Sequence, residues 1–138
     1  MTKPAREEIN LHNSPDEIVA SEHFFGLDLE EAEALFISDS LNYQWDLLWM
    51  GPKGFNYYIK AAISYLKRME SSGDVDFIDA IYQIVETRLQ RGELELARPD
   101  LIDLVDFVID NYQKFEVEEE IYGNLKVKYG ELGDLLKE

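Results

Sequence analysis

A chain of 138 residues, 46% hydrophobic and 12% aromatic, has the length of one domain and enough apolar material for a core, which excludes a disordered polymer. The absence of cysteine excludes a disulfide framework and thiolate chemistry. A formal net charge of −16 disfavours nucleic acid as a partner and favours a basic protein.

Residues 1–50 hold 11 acids against 2 bases, residues 51–100 hold 8 against 7, and residues 101–138 hold 10 against 4, so the middle is nearly neutral. The opening residues Met1 to Glu8 lack the apolar stretch of a signal peptide, and no apolar run approaches the ~18 residues that a membrane span needs. The expectation is a cytoplasmic protein with no membrane association, a monomer or small homo-oligomer.

Residues 1–13 read as a polar arm, in which Ile9 and Leu11 are too sparse to set a period. Residues 14–138 read as a single helical domain. Ser14-Pro15-Asp16-Glu17 has the form of a capping box with proline at the first helical position, and predicts a short helix that stops at Gly26. Asp28-Leu29-Glu30-Glu31 repeats the signal for a second helix, which would bury Leu29, Ala32, Leu35 and Phe36 and end near Leu41 or Asn42.

The segment from Trp45 to Met50 holds both tryptophans and is read as the centre of the fold. Gly51-Pro52 then breaks the pattern and starts a helix. Its buried face would carry Phe55, Tyr58, Ile59, Ala62, Ile63, Leu66 and Met69, with Ser71-Ser72-Gly73 as its end. Asp74 caps a helix with Phe77, Ile78, Ile81, Ile84, Val85 and Leu89 inward. Pro99 opens another, with Leu101, Leu104, Val105, Val108, Tyr112 and Phe115 on one face. In the last segment Ile121, Leu125, Tyr129, Leu132 and Leu136 suit a helix, while residues 125–129 alternate as a strand would; without a second strand to pair with, helix is preferred. The expected fold is all-α, a compact bundle of five or six helices with no substantial sheet.

Asp100, Asp103, Asp106 and Asp110 fall along one outward arc of the Pro99 helix and form an acidic ridge, a candidate surface for the basic partner. A metal reading would need a second carboxylate helix, for which Asp76, Asp79 and Glu86 are the available residues, but the spacing of carboxylate-bridged metal bundles is absent. No metal or other cofactor is expected. His12 and His23 sit in no recognisable catalytic spacing, and there is neither a nucleophile elbow nor a phosphate-binding loop. Lys53, Lys60 and Lys67 recur every seven residues along the water side of their helix. Tyr57, at about the same outer side, is the surface anchor candidate.

The segment Gly51-Pro52-Lys53-Gly54-Phe55-Asn56-Tyr57-Tyr58-Ile59-Lys60-Ala61 resembles the signature of a bacterial family of small proteins of unknown function, Thr-Pro-x-x-Phe-x-Tyr-Tyr-Leu-Pro-Ala after an acidic, tryptophan-containing stretch. Gly51 stands in place of the threonine, Ile59 of the leucine and Lys60 of the second proline. The resemblance implies a bacterial cytosolic helical domain and carries over no catalytic residue.

Two functions fit these features. The first is a non-enzymatic interaction module of the immunity or inhibitor type, with acidic helix faces turned to a basic partner. The second is a small enzyme or ligand-binding protein with an aromatic pocket around Trp45, Trp49, Tyr57 and Tyr58, and Asp46 as its polar group.

Overall fold

The computed structural model describes residues 2–138. Among them every regular element is helical and none is a strand, so the all-α expectation holds. The elements are α1 (Arg6–Ile9), α2 (Pro15–Phe24), α3 (Leu29–Tyr43), α4 (Asp46–Trp49), α5 (Pro52–Leu66), α6 (Val75–Gln90), α7 (Arg98–Asp110), α8 (Glu119–Tyr122) and α9 (Leu125–Leu136), with 3-10 turns at Met69–Ser71 and Tyr112–Phe115. They fall into two compact units, Met1–Lys67 and Arg68–Glu138.

The caps read from the sequence are present. The Ser14 hydroxyl accepts from the Glu17 amide, and the Glu17 carboxylate accepts from the Ser14 amide, closing the box that starts α2. Asp28 and Glu31 do the same for α3. Asp74 caps α6 by accepting from the Phe77 amide.

In the first unit α5 is the central element. Gly54 to Ile59 are buried without interruption, as are Ala61, Ala62, Ile63, Tyr65 and Leu66, leaving a narrow strip at Lys53, Lys60, Ser64 and Lys67. The predicted core positions Phe55, Tyr58, Ile59, Ala62 and Leu66 are thus inside. Tyr58 is fully buried, and its hydroxyl lies 2.8 Å from the carbonyl oxygens of both Phe24 and Leu27, where the chain turns between α2 and α3. Its proton is donated to the turn that follows α2, where the Phe24 carbonyl also accepts from the Leu27 amide at 3.0 Å.

Residues 2–13 are packed more closely than a polar arm would be. Pro4 and Ile9 are buried, and α1 packs against the start of α5. Glycine makes this approach possible. A Cβ on Gly51 would stand 2.5 Å from the Glu8 carbonyl oxygen, and one on Gly54 would stand 3.2 Å from Ile9 Cγ1. The Gly51 amide donates to the Ile9 carbonyl at 2.9 Å. Buried Glu17 secures the other side, accepting from the amides of Leu11, His12 and Ser14 and from the Ser14 hydroxyl. Burial by itself would raise the Glu17 pKa, but these donors outweigh it and hold the group below its ordinary range.

Several inward expectations need correction. Met69 is 85% exposed because α5 ends at Leu66 and Arg68 is extended, so the helical period cannot be carried across. Trp45 and Trp49, expected at the centre, are 37% and 43% exposed. On this turn Leu47 and Met50 take the inner side, and the tryptophans, four residues apart, take the outer one. Tyr57, expected outside, is buried at 7% exposure because α5 is enclosed beyond the stripe that its period suggests.

In the second unit α6, α7 and α9 supply the core, through Ile81, Val85, Val105, Val108, Tyr129 and Leu132 among others. The C-terminal segment is helical, broken at Gly123, whose φ of 76° ends α8 before Asn124 caps α9 by accepting from the Val127 amide. Ile121 falls outside the buried set at 70% exposure, since the break removes it from the stripe of α9. Gly133 faces Val105 so closely that a Cβ would lie 2.9 Å from its Cγ1.

Two glycine replacements should therefore have opposite signs. Gly51→Ala forces a side chain into backbone and should destabilise the protein by about 1–3 kcal/mol. Gly130→Ala, inside α9 with nothing within 4 Å of the added carbon, should stabilise it by about 0.5–1 kcal/mol. Urea denaturation of both variants measures the two values; equal signs would contradict the packing described.

Candidate functional site

The acidic ridge lies where the helical period puts it. In α7, Leu101, Leu104, Val105 and Val108 are buried, while Asp103, Asp106 and Asp110 are exposed and Asp100 is half-buried in the first turn. Asp100 there is favoured by the helix dipole. Asp106 Oδ1 faces Lys137 Nζ at 3.9 Å, across an exposed pair that contributes little. The ridge ends at a depression of about 520 Å³ lined in part by Asp110, Tyr112, Lys114 and Lys126. Among the described residues no group of three or more His, Asp or Glu side chains is placed to hold a metal ion. Carboxylates on one helix face spread along a line rather than converge.

A second constellation lies in the first unit. α2 presents His23 and α4 presents Asp46, and His23 Nδ1 stands 2.6 Å from Asp46 Oδ2. Asp46 is 7% exposed, whereas the imidazole is half-buried and meets the ring of Tyr43 edge-on at 4.9 Å between centroids. Burial raises the Asp46 pKa above its ordinary value of 3.8, opposed by the bond to His23. Asp46 Oδ1 makes no hydrogen bond among the described residues. Trp45 and Trp49 flank this carboxylate in the chain and turn outward.

Of the aromatic residues singled out in the sequence, Tyr57 and Tyr58 lie inside while Trp45 and Trp49 are exposed. Tyr58 has no exposed surface and its hydroxyl is committed to backbone carbonyls, while Tyr57 is buried edge-on against it at 4.9 Å between centroids. Of the lysine strip, Lys53 pairs with Glu8 at 3.0 Å. His12 lies at the surface beside Glu17.

The pairing of His23 with Asp46 has no signal in the sequence, because 23 residues separate the partners and neither belongs to a motif. Buried Arg88 was also missed, although it has one: it follows Ile84 and Val85 at the four- and three-residue spacings of the inward stripe. Its guanidinium meets Glu93 at 3.2 Å, and burial lowers its pKa to about 10.

The raised pKa of Asp46 means that the folded chain binds this proton more tightly than the unfolded chain does. Its contribution to stability is therefore fully present below pH 3.8 and is lost as pH rises through the higher folded-state pKa. The stability of the wild type minus that of Asp46→Asn should accordingly decline across this window and level off at neutral pH. Denaturation of both proteins from pH 3 to about pH 7 tests the sign, and a difference that rises would refute it.

No helix among the described residues is long and apolar enough to cross a membrane. In comparisons with known proteins, no family matches this chain, and no curated protein or solved structure matches it.

Proposed function

We propose that this chain is a non-enzymatic interaction protein that binds and neutralises a basic protein partner, as an immunity protein or inhibitor does. The observation that carries the reading is the outward ridge of α7, on which Asp103, Asp106 and Asp110 face water opposite a fully apolar stripe. Aspartate is a poorer helix former than glutamate, so repeated aspartates on one exposed face are unexpected if solubility is the only requirement. The net charge of −16 adds a long-range field that draws cationic proteins together with such a surface and speeds their encounter. The same field disfavours nucleic acid and large assemblies of like-charged copies. A bacterial, cytoplasmic setting follows from the resemblance in residues 51–61 and belongs to the same proposal.

The ridge acts in this reading by attraction and not by holding a metal. Asp103→Asn, Asp106→Asn and Asp110→Asn together should slow association with the basic partner about tenfold at low salt, within the range of electrostatic steering, and leave the fold intact. The difference should fade towards 1 M salt, where the Debye length falls to about 3 Å. Stopped-flow association rates with the partner co-purified from the native host, beside circular dichroism of the variant, test this. An unchanged rate at low salt would remove the ridge from the mechanism.

A further inference from the structure

We infer that the turn Trp45–Trp49 receives an arginine side chain of the basic partner, its guanidinium stacked on the exposed indoles and its charge on Asp46 Oδ1. The inference rests on the reading of the chain as a binder of basic proteins, and it adds to that reading a contact in the first unit.

The carboxylate is the first ground. Asp46 is 7% exposed; its Oδ2 has a donor, His23 Nδ1, while Oδ1 has none among the described residues and keeps an opening to solvent. A carboxylate oxygen that has no protein donor and is reached by solvent is open to an incoming cationic donor. His23 fixes the orientation of the group through the other oxygen, and Tyr43 braces the imidazole from its edge.

The indoles are the second ground. Trp45 and Trp49 lie four residues apart on the turn that holds Asp46, both exposed, and Leu41 one turn earlier is exposed as well. Large aromatic side chains with a polar group beside them are the side chains that anchor protein interfaces, and an indole face is the strongest neutral site for a guanidinium.

Charge selects the occupant. Between Arg6 and Lys53 the chain has no lysine or arginine, and all 11 acids of residues 1–50 fall in that interval. Asp16 on α2 adds directly to the negative potential at Asp46. A second copy of the chain would bring the same excess of negative charge, and an anionic lipid or phosphate would be repelled. Arginine fits better than lysine because its flat cation both stacks and donates in a fork.

The full chain, labelled with nitrogen-15, can be titrated at low salt with a hexa-arginine peptide while the indole N–H signals of its two tryptophans are followed. Both signals should shift saturably. Asp46→Asn should weaken the apparent affinity about tenfold, the scale of one charge-assisted hydrogen bond, whereas Glu30→Gln, which removes the same unit of charge from exposed surface, should change it less than about twofold. Trp49→Ala, with circular dichroism showing the fold retained, should also weaken binding. A hexa-lysine peptide should bind less tightly than hexa-arginine. Equal effects of Asp46→Asn and Glu30→Gln would overturn the site, as would indole shifts that depend on the concentration of the chain alone and so report a second copy. Backbone shifts confined to α7, with still indoles, would overturn the site and spare the basic-partner reading. No peptide binding at any position would remove both.

Discussion

The first unit is organised by the enclosure of α5. A helix buried over most of its circumference needs neighbours on several sides, and residues 1–67 supply them in short pieces. α1 closes over the N-terminal turn because Gly51 and Gly54 leave room for its backbone. α3 packs along the length of α5, and the junction between α2 and α3 is held by the Tyr58 hydroxyl. α4 covers the entry to α5 with Leu47 and Met50, so its remaining side carries the tryptophans into water. The exposure of the indoles is thus a consequence of which residues α5 requires on the inner side.

The second unit reaches the same end with different means. Tyr129 is fully buried, and its hydroxyl donates to the Ile78 carbonyl at 2.6 Å, joining α9 to α6. Burial drives its pKa well above the usual phenol value, so it is a neutral donor at neutral pH. Gly133 brings α9 close to α7, and Arg98 Nη1 donates to the Leu136 carbonyl at 2.7 Å, one of the acceptors left open at the end of α9. Close approach and satisfied helix ends do here what enclosure does for α5.

Much of this is legible in the sequence where the interaction is local. The capping residues Ser14, Asp28 and Asp74 mark the helix starts because their bonds reach only three residues ahead. The core stripes of α5, α6 and α7 follow the helical period, and so does the ridge on the far side of α7. The period gives no information where a helix is enclosed on several sides, as at Tyr57, or where a helix ends early, as before Met69. Composition misleads at Trp45 and Trp49, because size and aromaticity favour burial on average, and on a short turn the smaller Leu47 and Met50 fill the interior instead. The contact between His23 and Asp46 depends on α2 meeting α4, and a long-range meeting of this kind leaves no trace in a single sequence.

The outward placement of the tryptophans also governs what the molecule shows to light. Both indoles belong to Met1–Lys67, and residues 68–138 contain none. Intrinsic tryptophan emission therefore arises in one unit alone, from rings 37% and 43% exposed, and unfolding of that unit completes their exposure to water. The helices α6, α7 and α9 carry no indole of their own, and their opening is read directly through the tyrosines, of which Tyr129 leaves a dry interior.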